Sequence, residues 1–264
     1  MLAAYERTSF THDGRTKPLY VRGQGRPVIV LHELPGITWQ VLRFADWLVE
    51  AGFRSYLPEL TGVAGKEISN GYYVQTFARV CISREFELLA SDRSSPVTSW
   101  LRALARQVDG ETREHGVGVV GMCFSGNFAL AMMLEPCLKV AVTAEPSLPL
   151  PFGETRRGAL HLSPVELSAL KERAARGETV LGLRFAHDRW CARQRFDTLR
   201  GELGTAFAEI ELPESAANPE SPNPLPHSVL TNDLIDRAGE PTKAAAERVV
   251  AFLKERLVPA FRSS

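Results

Sequence analysis

The segment that decides the fold spans residues 117–126 and reads Val117-Gly118-Val119-Val120-Gly121-Met122-Cys123-Phe124-Ser125-Gly126. Its first half is an apolar run rich in valine, which predicts a buried strand over residues 117–121. Its second half opens an apolar stretch that predicts a helix over residues 125–134. The chain therefore passes from strand to helix in a tight turn, and Cys123 lies at that turn.

The turn carries a nucleophilic side chain between small residues. Gly121 and Ser125 lie two positions on either side of Cys123, and Gly126 adds a second small position. This arrangement resembles the nucleophile elbow of α/β-hydrolases, where larger side chains would clash with the adjoining strand and helix. The N-terminus of the following helix favours a thiolate at Cys123. Ser125 is the weaker candidate, because cysteine rather than glycine lies two positions before it; alternatively, Cys123 is a small core residue.

The rest of the chain alternates strands with helices. Apolar runs predict strands at 27–31, 53–57, 140–144, 180–185 and 207–212, and helical spacing predicts helices at 39–51, 97–114, 164–176, 192–203 and 242–257. This alternation predicts an α/β fold, with a mostly parallel sheet and helices on both faces. Ligands bind beyond the carboxyl ends of the strands in such sheets, so the residues directly after each strand are the candidates for chemistry.

Composition excludes several classes of protein. Of the 264 residues, 44% are hydrophobic, which excludes intrinsic disorder. The 31 basic and 31 acidic residues balance, so no excess of positive charge draws the chain to nucleic acid or to an anionic membrane. We find neither a signal peptide nor an apolar run of about 18 residues that would span a membrane. The four cysteines form no Cys-x-x-Cys pair, which predicts cytosolic thiols, a cytoplasmic location and no metal site.

We expect residues 1–264 to form a single α/β-hydrolase domain. The turn signal His12-Asp13-Gly14 predicts a hairpin within residues 1–25. Residues 61–95 show no clear period and are interpreted as a lid or an insertion that shapes the pocket. Residues 213–227 are rich in proline and predict a long loop that carries a histidine.

Two later strands supply candidate partners for Cys123. A cysteine nucleophile needs a base, and the base needs a group that orients it. The chain order in α/β-hydrolases is nucleophile, acid, histidine. Asp188 follows the strand at 180–185, and His227 ends the loop after the strand at 207–212, so Asp188 would orient His227. Alternatively, Asp188 caps the following helix and His227 is a loop histidine without a role.

The chain resembles the dienelactone hydrolase family, a branch of the α/β-hydrolase fold with a Cys-His-Asp triad. Residues 121–126 are similar to the family's Gly-x-Cys-x-Gly-Gly motif, although Ser125 replaces a glycine. Residues 31–36, Leu31-His32-Glu33-Leu34-Pro35-Gly36, carry the family's glutamate, followed by an apolar residue and then a glycine. The resemblance implies that Glu33 contacts the Cys123 thiol and helps to generate the thiolate.

The resemblance also implies how the substrate is held. The backbone N–H groups of Leu34 and Phe124 would form an oxyanion hole. The family binds an anionic substrate through arginines, and Arg84 is the candidate here, with Arg79 as the alternate. The alternatives are that Arg84 is a surface residue, pairs with a neighbouring glutamate, or pairs with Glu33 in the resting protein.

The function implied is a cysteine-dependent hydrolase that opens a lactone or cleaves an activated ester. Its partner would be a small ester or lactone, carboxylate-bearing if the arginine assignment holds, and no cofactor or metal is required. Two alternatives remain: a carboxylesterase or thioesterase of the same fold, and a catalytically silent homologue that binds a ligand.

Overall fold

In the part of the chain that the structure describes, eight strands form one mixed sheet. The structure, a computed structural model, describes residues 1–81, 95–112, 116–147 and 154–257. The strands are β1 (Glu6–His12), β2 (Arg15–Gly23), β3 (Pro27–Leu31), β4 (Arg54–Pro58), β5 (Val117–Met122), β6 (Leu138–Ala144), β7 (Thr179–Phe185) and β8 (Phe207–Leu212).

The strand order along the sheet is β1-β2-β4-β3-β5-β6-β7-β8. β2 runs antiparallel to both β1 and β4, and the pairs from β4 to β8 are all parallel. Asp13 and Gly14 join β1 to β2 with φ angles of 46° and 71°, the left-handed conformation that a two-residue hairpin turn requires. The parallel strands therefore end at one common edge of the sheet.

Helices cover both faces of this sheet. They are α1 (Trp39–Glu50), α2 (Asn70–Cys81), α3 (Pro96–Gly110), α4 (Phe124–Met132), α5 (Glu154–Gly158), α6 (Pro164–Ala175), α7 (Arg193–Leu203) and α8 (Pro241–Leu257). The predicted α/β-hydrolase architecture, a mostly parallel sheet between helices, is confirmed. None of the helices in the described ranges is both long and apolar enough to cross a membrane.

The core consists of two layers, one on each face of the sheet. Ile29 and Leu31 of β3 pack in the layer that includes α3, α4 and α7, while Val28 and Val30 pack in the layer with α1 and α8. All residues of β3 and β5 are buried. Each fully buried aliphatic side chain contributes about 1.5–3 kcal/mol to the free energy of folding. The packed centre of the sheet therefore holds the strand ends, and the loops that follow them, in fixed positions.

Residues 61–95 contain helix α2, which the sequence does not predict. Its buried side chains are Tyr72, Thr76 and Val80, a narrow stripe spaced by four residues. Tyr73 and Val74 are apolar but exposed, and they blur the helical period. Arg84 lies outside the described residues, since residues 82–94 are not among them.

Candidate active site

Five neighbouring strands bring titratable side chains to one edge of the sheet. Glu33 follows β3, Cys123 follows β5, Glu145 follows β6, Asp188 follows β7 and His227 lies on the loop after β8. These strands are adjacent and parallel, so their carboxyl ends meet. The topology alone therefore clusters three carboxyls, a thiol and an imidazole.

The turn at Cys123 has the strained geometry of an elbow. Cys123 has φ 54° and ψ −128°, a conformation that costs a non-glycine residue free energy. Its N–H donates to Ala144 O at 3.0 Å, and its carbonyl accepts from Gly126 N at 3.0 Å. A Cβ on Gly121 would lie 2.4 Å from Ser125 O, so only glycine fits there. Backbone hydrogen bonds and close packing thus hold the turn in place.

Ser125, which replaces a family glycine, braces the elbow. Its hydroxyl is fully buried, lies 2.9 Å from Leu31 O and 2.8 Å from Met122 O, and accepts from Met122 N at 3.0 Å. The hydroxyl therefore ties the elbow to β3. It faces backbone rather than the cavity above Cys123.

A polar side chain that the sequence does not predict lies beside the thiol. Ser147 Oγ lies 3.1 Å from Cys123 Sγ. Ser147 N donates to Cys123 O at 3.2 Å, and Ser147 O accepts from Asn127 Nδ2 at 3.1 Å. Ser147 lies only three residues beyond β6, so the rule that chemistry follows strand ends could have found it.

The predicted acid and histidine pair directly. His227 Nδ1 lies 2.7 Å from Asp188 Oδ2. The other oxygen of Asp188 accepts from Trp190 N at 2.8 Å and Cys191 N at 3.0 Å, so the carboxylate also caps the next turn. Asp188 therefore contacts His227 and also holds the turn before α7, whose own N-cap is Ala192. Its role in orienting a catalytic histidine stays a prediction. Burial alone would lower the pKa of His227, but the charges of Asp188 and Cys123 and hydrogen bonds to both raise it well above its usual value.

Glu33 is held by the histidine loop. Ser228 Oγ donates to Glu33 Oε2 at 2.6 Å, and Thr231 Oγ1 donates to Glu33 Oε1. Burial raises the pKa of Glu33, although both hydroxyl donors oppose that shift. The contact between Glu33 and the Cys123 thiol that the resemblance implies is replaced here by these two hydroxyls. Nothing in the sequence motif reveals this, because Ser228 and Thr231 lie about two hundred positions away in a loop.

A second histidine fixes the loop that carries Leu34. His32 Nε2 accepts from Leu60 N at 3.0 Å, which leaves Nδ1 to donate to Glu33 O at 2.8 Å. Burial lowers the pKa of His32 to about 4, so the ring is neutral. Across the sheet Leu31 pairs with Gly121, and Leu34 and Phe124 each lie three residues beyond that pair. In this part of the structure neither N–H donates to a turn or loop carbonyl, so both amides can serve a ligand.

Glu145 lies directly after β6 and is fully buried beneath the site. Its Oε2 accepts from Val229 N at 3.4 Å, and its Oε1 has no hydrogen-bond partner. Burial raises the pKa of Glu145 well above 4.5, and the nearby charges of Glu33, Asp188 and Cys123 add to this, while His227 opposes it. Glu145 is therefore a buried carboxyl with a raised pKa beside the catalytic candidates.

A cavity of about 320 Å³ lies above Cys123 and His227, with Leu34, Phe124 and Ser147 in its walls. Arg79 does not line it. Arg79 lies on a second cavity of about 300 Å³ together with Lys17, and Phe124 contributes to both cavities. The assignment of Arg79 to a substrate carboxylate therefore gains no support from the cavity above Cys123, and that of Arg84 stays a prediction.

Two other thiols have a different environment. Burial raises the pKa of Cys137 to about 11 and that of Cys191 to about 12, which keeps both protonated. In the residues that the structure covers, no group of three His, Cys, Asp or Glu side chains is arranged to hold a metal ion.

The elbow, the buried His–Asp pair and the sheet define an α/β hydrolase.

The sequence identifies the branch of that class. The sequence model of the dienelactone hydrolase family matches residues 17–176, which is more than half of the chain. The chain belongs to the dienelactone hydrolase family. No curated protein sequence matches it.

Solved structures share its fold. A protein assigned as a dienelactone hydrolase from Klebsiella pneumoniae is 19% identical, with a TM-score of 0.65 over 95% of this chain and 98% of that one. The dienelactone hydrolase from Anabaena variabilis is 16% identical, with a TM-score of 0.60 over 96% and 98%. A cold-adapted esterase from an Arctic intertidal metagenomic library is also 16% identical, with a TM-score of 0.59 over 96% and 93%. At these identities the likeness shows the fold alone.

Proposed function

We propose that the protein is a cysteine-dependent carboxylic ester hydrolase that opens a lactone or cleaves an activated ester through an acyl-thioester at Cys123. The observation that carries this proposal is the buried pair of His227 and Asp188, joined at 2.7 Å, beside a thiol that lines the same cavity. Membership of the dienelactone hydrolase family supports a small-molecule substrate.

The first half of the reaction forms the thioester. His227 takes the thiol proton, and the charge of Asp188 stabilises the imidazolium that results. The Cys123 sulfur attacks the carbonyl carbon, and the carbonyl oxygen becomes an oxyanion. The N–H groups of Leu34 and Phe124 donate to that oxyanion, and each such donor is worth about 10²- to 10³-fold in rate.

The second half regenerates the thiol. The oxyanion collapses, the bond between carbon and the leaving oxygen breaks, and that oxygen takes the proton from His227, which returns the ring to its neutral form. An enol leaving group can instead depart as an enolate, and His227 then gives its proton to solvent before the next step. A water molecule then gives a proton to His227 and attacks the thioester carbon. The bond to sulfur breaks, a carboxylic acid is released, and Cys123 recovers its proton. Glu33 takes part in none of these steps directly. It accepts hydrogen bonds from Ser228 and Thr231 and so holds the loop that carries His227.

The proposal is tested by hydrolysis of p-nitrophenyl valerate and ring opening of a dienelactone. Wild type is compared with Cys123→Ala, and Cys137→Ala serves as the control because Cys137 is a partly buried thiol outside the cavity. We expect turnover of at least one substrate by wild type and by C137A, and loss of at least about 10³-fold in C123A, the scale seen when a nucleophile is removed. Full activity in C123A would contradict the proposal. Binding without turnover by wild type would instead identify a catalytically silent homologue.

A further inference from the structure

The walls of the cavity above Cys123 are mainly apolar. They include Leu34 from the loop after β3, Phe77 from α2, Phe124 from α4 and Trp190 from the loop after β7. The polar groups that accompany them, such as Asn223, are uncharged apart from His227. A cavity of this kind desolvates an apolar group favourably and offers a charge nothing to replace its water.

The rim of the cavity is apolar as well. Tyr73 and Val74 on α2, Trp190 and Leu225 line the cavity and are 39%, 64%, 41% and 39% exposed. They are half of the eight large hydrophobic side chains that are exposed in the parts of the chain covered by the structure. Exposed apolar residues that gather around one opening mark a surface that binds apolar ligands, whereas scattered ones do not.

The ionisable groups around the thiol are mostly carboxyls. Glu33, Glu145 and Asp188 surround His227, and each interacts with the others or with Cys123 electrostatically. Of the basic side chains that the structure describes, His227 is the only one that lines the cavity. The three carboxyls do not line the cavity themselves, so among the described side chains a ligand carboxylate would find only one basic group, a histidine that is already paired with Asp188.

Three basic side chains near the site, among those that the structure describes, lie outside this cavity. Arg195 is buried next to the site, but it donates to Ala159 O at 2.8 Å and to Pro146 O. Lys17 and Arg79 line the second cavity, on the other side of Phe124. None of these three residues is among those that line the cavity above Cys123.

We infer that the substrate is an ester whose acyl group is uncharged and hydrophobic, and that the cavity above Cys123 selects against acyl groups that carry a carboxylate. This inference rests on the proposed function and names its substrate class. It departs from the anionic substrate that the arginine assignment implied.

The test compares three p-nitrophenyl esters that share a leaving group. The valerate is neutral, the mono-ester of glutaric acid places a carboxylate at the end of a chain of the same length, and the methyl glutarate removes that charge at nearly constant size. We expect kcat/KM for the glutarate to lie at least about 30-fold below that for the valerate, because the mainly apolar walls offer a carboxylate nothing to replace its water. The methyl glutarate should recover most of the difference. Equal or faster hydrolysis of the glutarate would overturn the inference.

A cation placed at the rim checks the cause of the preference. Val74→Arg adds a positive charge to the cavity wall, and Val165→Arg adds the same charge at an equally exposed valine on α6, 66% exposed against 64% for Val74. V74R should raise the ratio of glutarate to valerate kcat/KM about tenfold, which corresponds to about 1.4 kcal/mol. V165R should leave the ratio at the wild-type value. An unchanged ratio in V74R would contradict the electrostatic argument.

Failure of the proposed function has a separate signature. If no ester is cleaved, the hydrolase assignment falls, and the preference of the cavity is read from calorimetric binding of the valerate and glutarate esters to C123A. Tighter binding of the valerate would support an apolar site, and tighter binding of the glutarate would overturn it. If all three esters are cleaved at equal rates, the hydrolase assignment stands and the substrate class is wrong.

Discussion

The hydroxyl of Ser147 lies 3.1 Å from the sulfur of Cys123 and is fixed there by its own backbone. Ser147 N donates to Cys123 O, and Asn127 Nδ2 holds Ser147 O. The residue is 3% exposed, so water does not readily replace its hydroxyl. A fixed hydroxyl at this distance can donate to a thiolate without reorganisation, which makes Ser147 a positioning residue for the thiol.

Ser147→Ala should slow every step that uses the thiolate. We expect kcat/KM to fall about tenfold or more, because a hydrogen bond to a charged group is worth about 1.5–3 kcal/mol and 1.4 kcal/mol corresponds to tenfold. The rate of Cys123 alkylation by iodoacetamide should fall in parallel, which separates an effect on sulfur from one on the ester. Ser168→Ala, an exposed serine on α6, is the matched control. An unchanged alkylation rate in S147A would remove Ser147 from the account.

Asp188→Asn should remove the carboxylate that pairs with His227 and leave the turn at residues 188–191 intact. The amide oxygen can still accept from Trp190 N and Cys191 N, but its NH₂ then faces His227 Nδ1. That geometry favours the tautomer with the proton on Nε2, which cannot accept the thiol proton. We expect kcat to fall about 10²-fold or more, since the same change in a Ser-His-Asp triad costs about 10⁴-fold.

The control for Asp188 is an aspartate outside the cavity. Asp197 on α7 forms surface ion pairs with Arg193 and Arg200, and such pairs contribute about 0–1 kcal/mol to stability. D197N should therefore keep wild-type kcat. If D188N also keeps it, Asp188 serves only as the cap of its turn.

Glu145→Gln should make stability less sensitive to pH. Burial raises the pKa of Glu145 above 4.5 in the folded state, so the folded protein binds a proton that the unfolded chain releases. Wild type then loses stability as the pH rises above about 4.5 towards the folded pKa, and each unit of that shift corresponds to about 1.4 kcal/mol. Glutamine does not titrate, so the free energy of unfolding of E145Q relative to wild type should increase with pH over this range.

Urea unfolding at a series of pH values measures this difference. Glu247→Gln, an exposed glutamate on α8, is the matched control and should give a difference that is flat with pH. A flat difference for E145Q as well would mean that Glu145 is ionised in the folded protein. In that case burial would not raise the pKa of Glu145 in the folded protein.

The sequence carries the fold and the main relationship of the site because both depend on local patterns. β3 and β5 are recognisable as continuous apolar runs, because both strands are buried on both faces. These strands are neighbours in the sheet, so the residues that follow them lie close together. Asp188 and His227 are each predicted from chain order, and they meet at 2.7 Å. The elbow at Cys123 can be predicted from the sequence because the close approach of Ser125 O to Gly121 leaves no room for a side chain at position 121.

The rest of the site depends on contacts between distant segments. Glu33 lies in a recognisable motif, but its partners Ser228 and Thr231 occur in an irregular loop whose path the sequence does not specify. Helix α2 is missed because Tyr73 and Val74 are apolar on the exposed side and border the cavity. The apolar residues that line the cavity therefore interrupt the amphipathic pattern by which helix α2 would be recognised.

The most direct test of an acyl-thioester at Cys123 is the mass of the protein during turnover. Wild type and His227→Ala are mixed with p-nitrophenyl valerate, quenched in acid and analysed as intact protein and as peptides. We expect a gain of one valeryl group on the peptide that contains Cys123, removable by hydroxylamine, longer-lived in H227A and absent in C123A. Hydrolysis without any adduct on Cys123, or an adduct on another residue during productive turnover, would contradict a mechanism through a thioester at this cysteine.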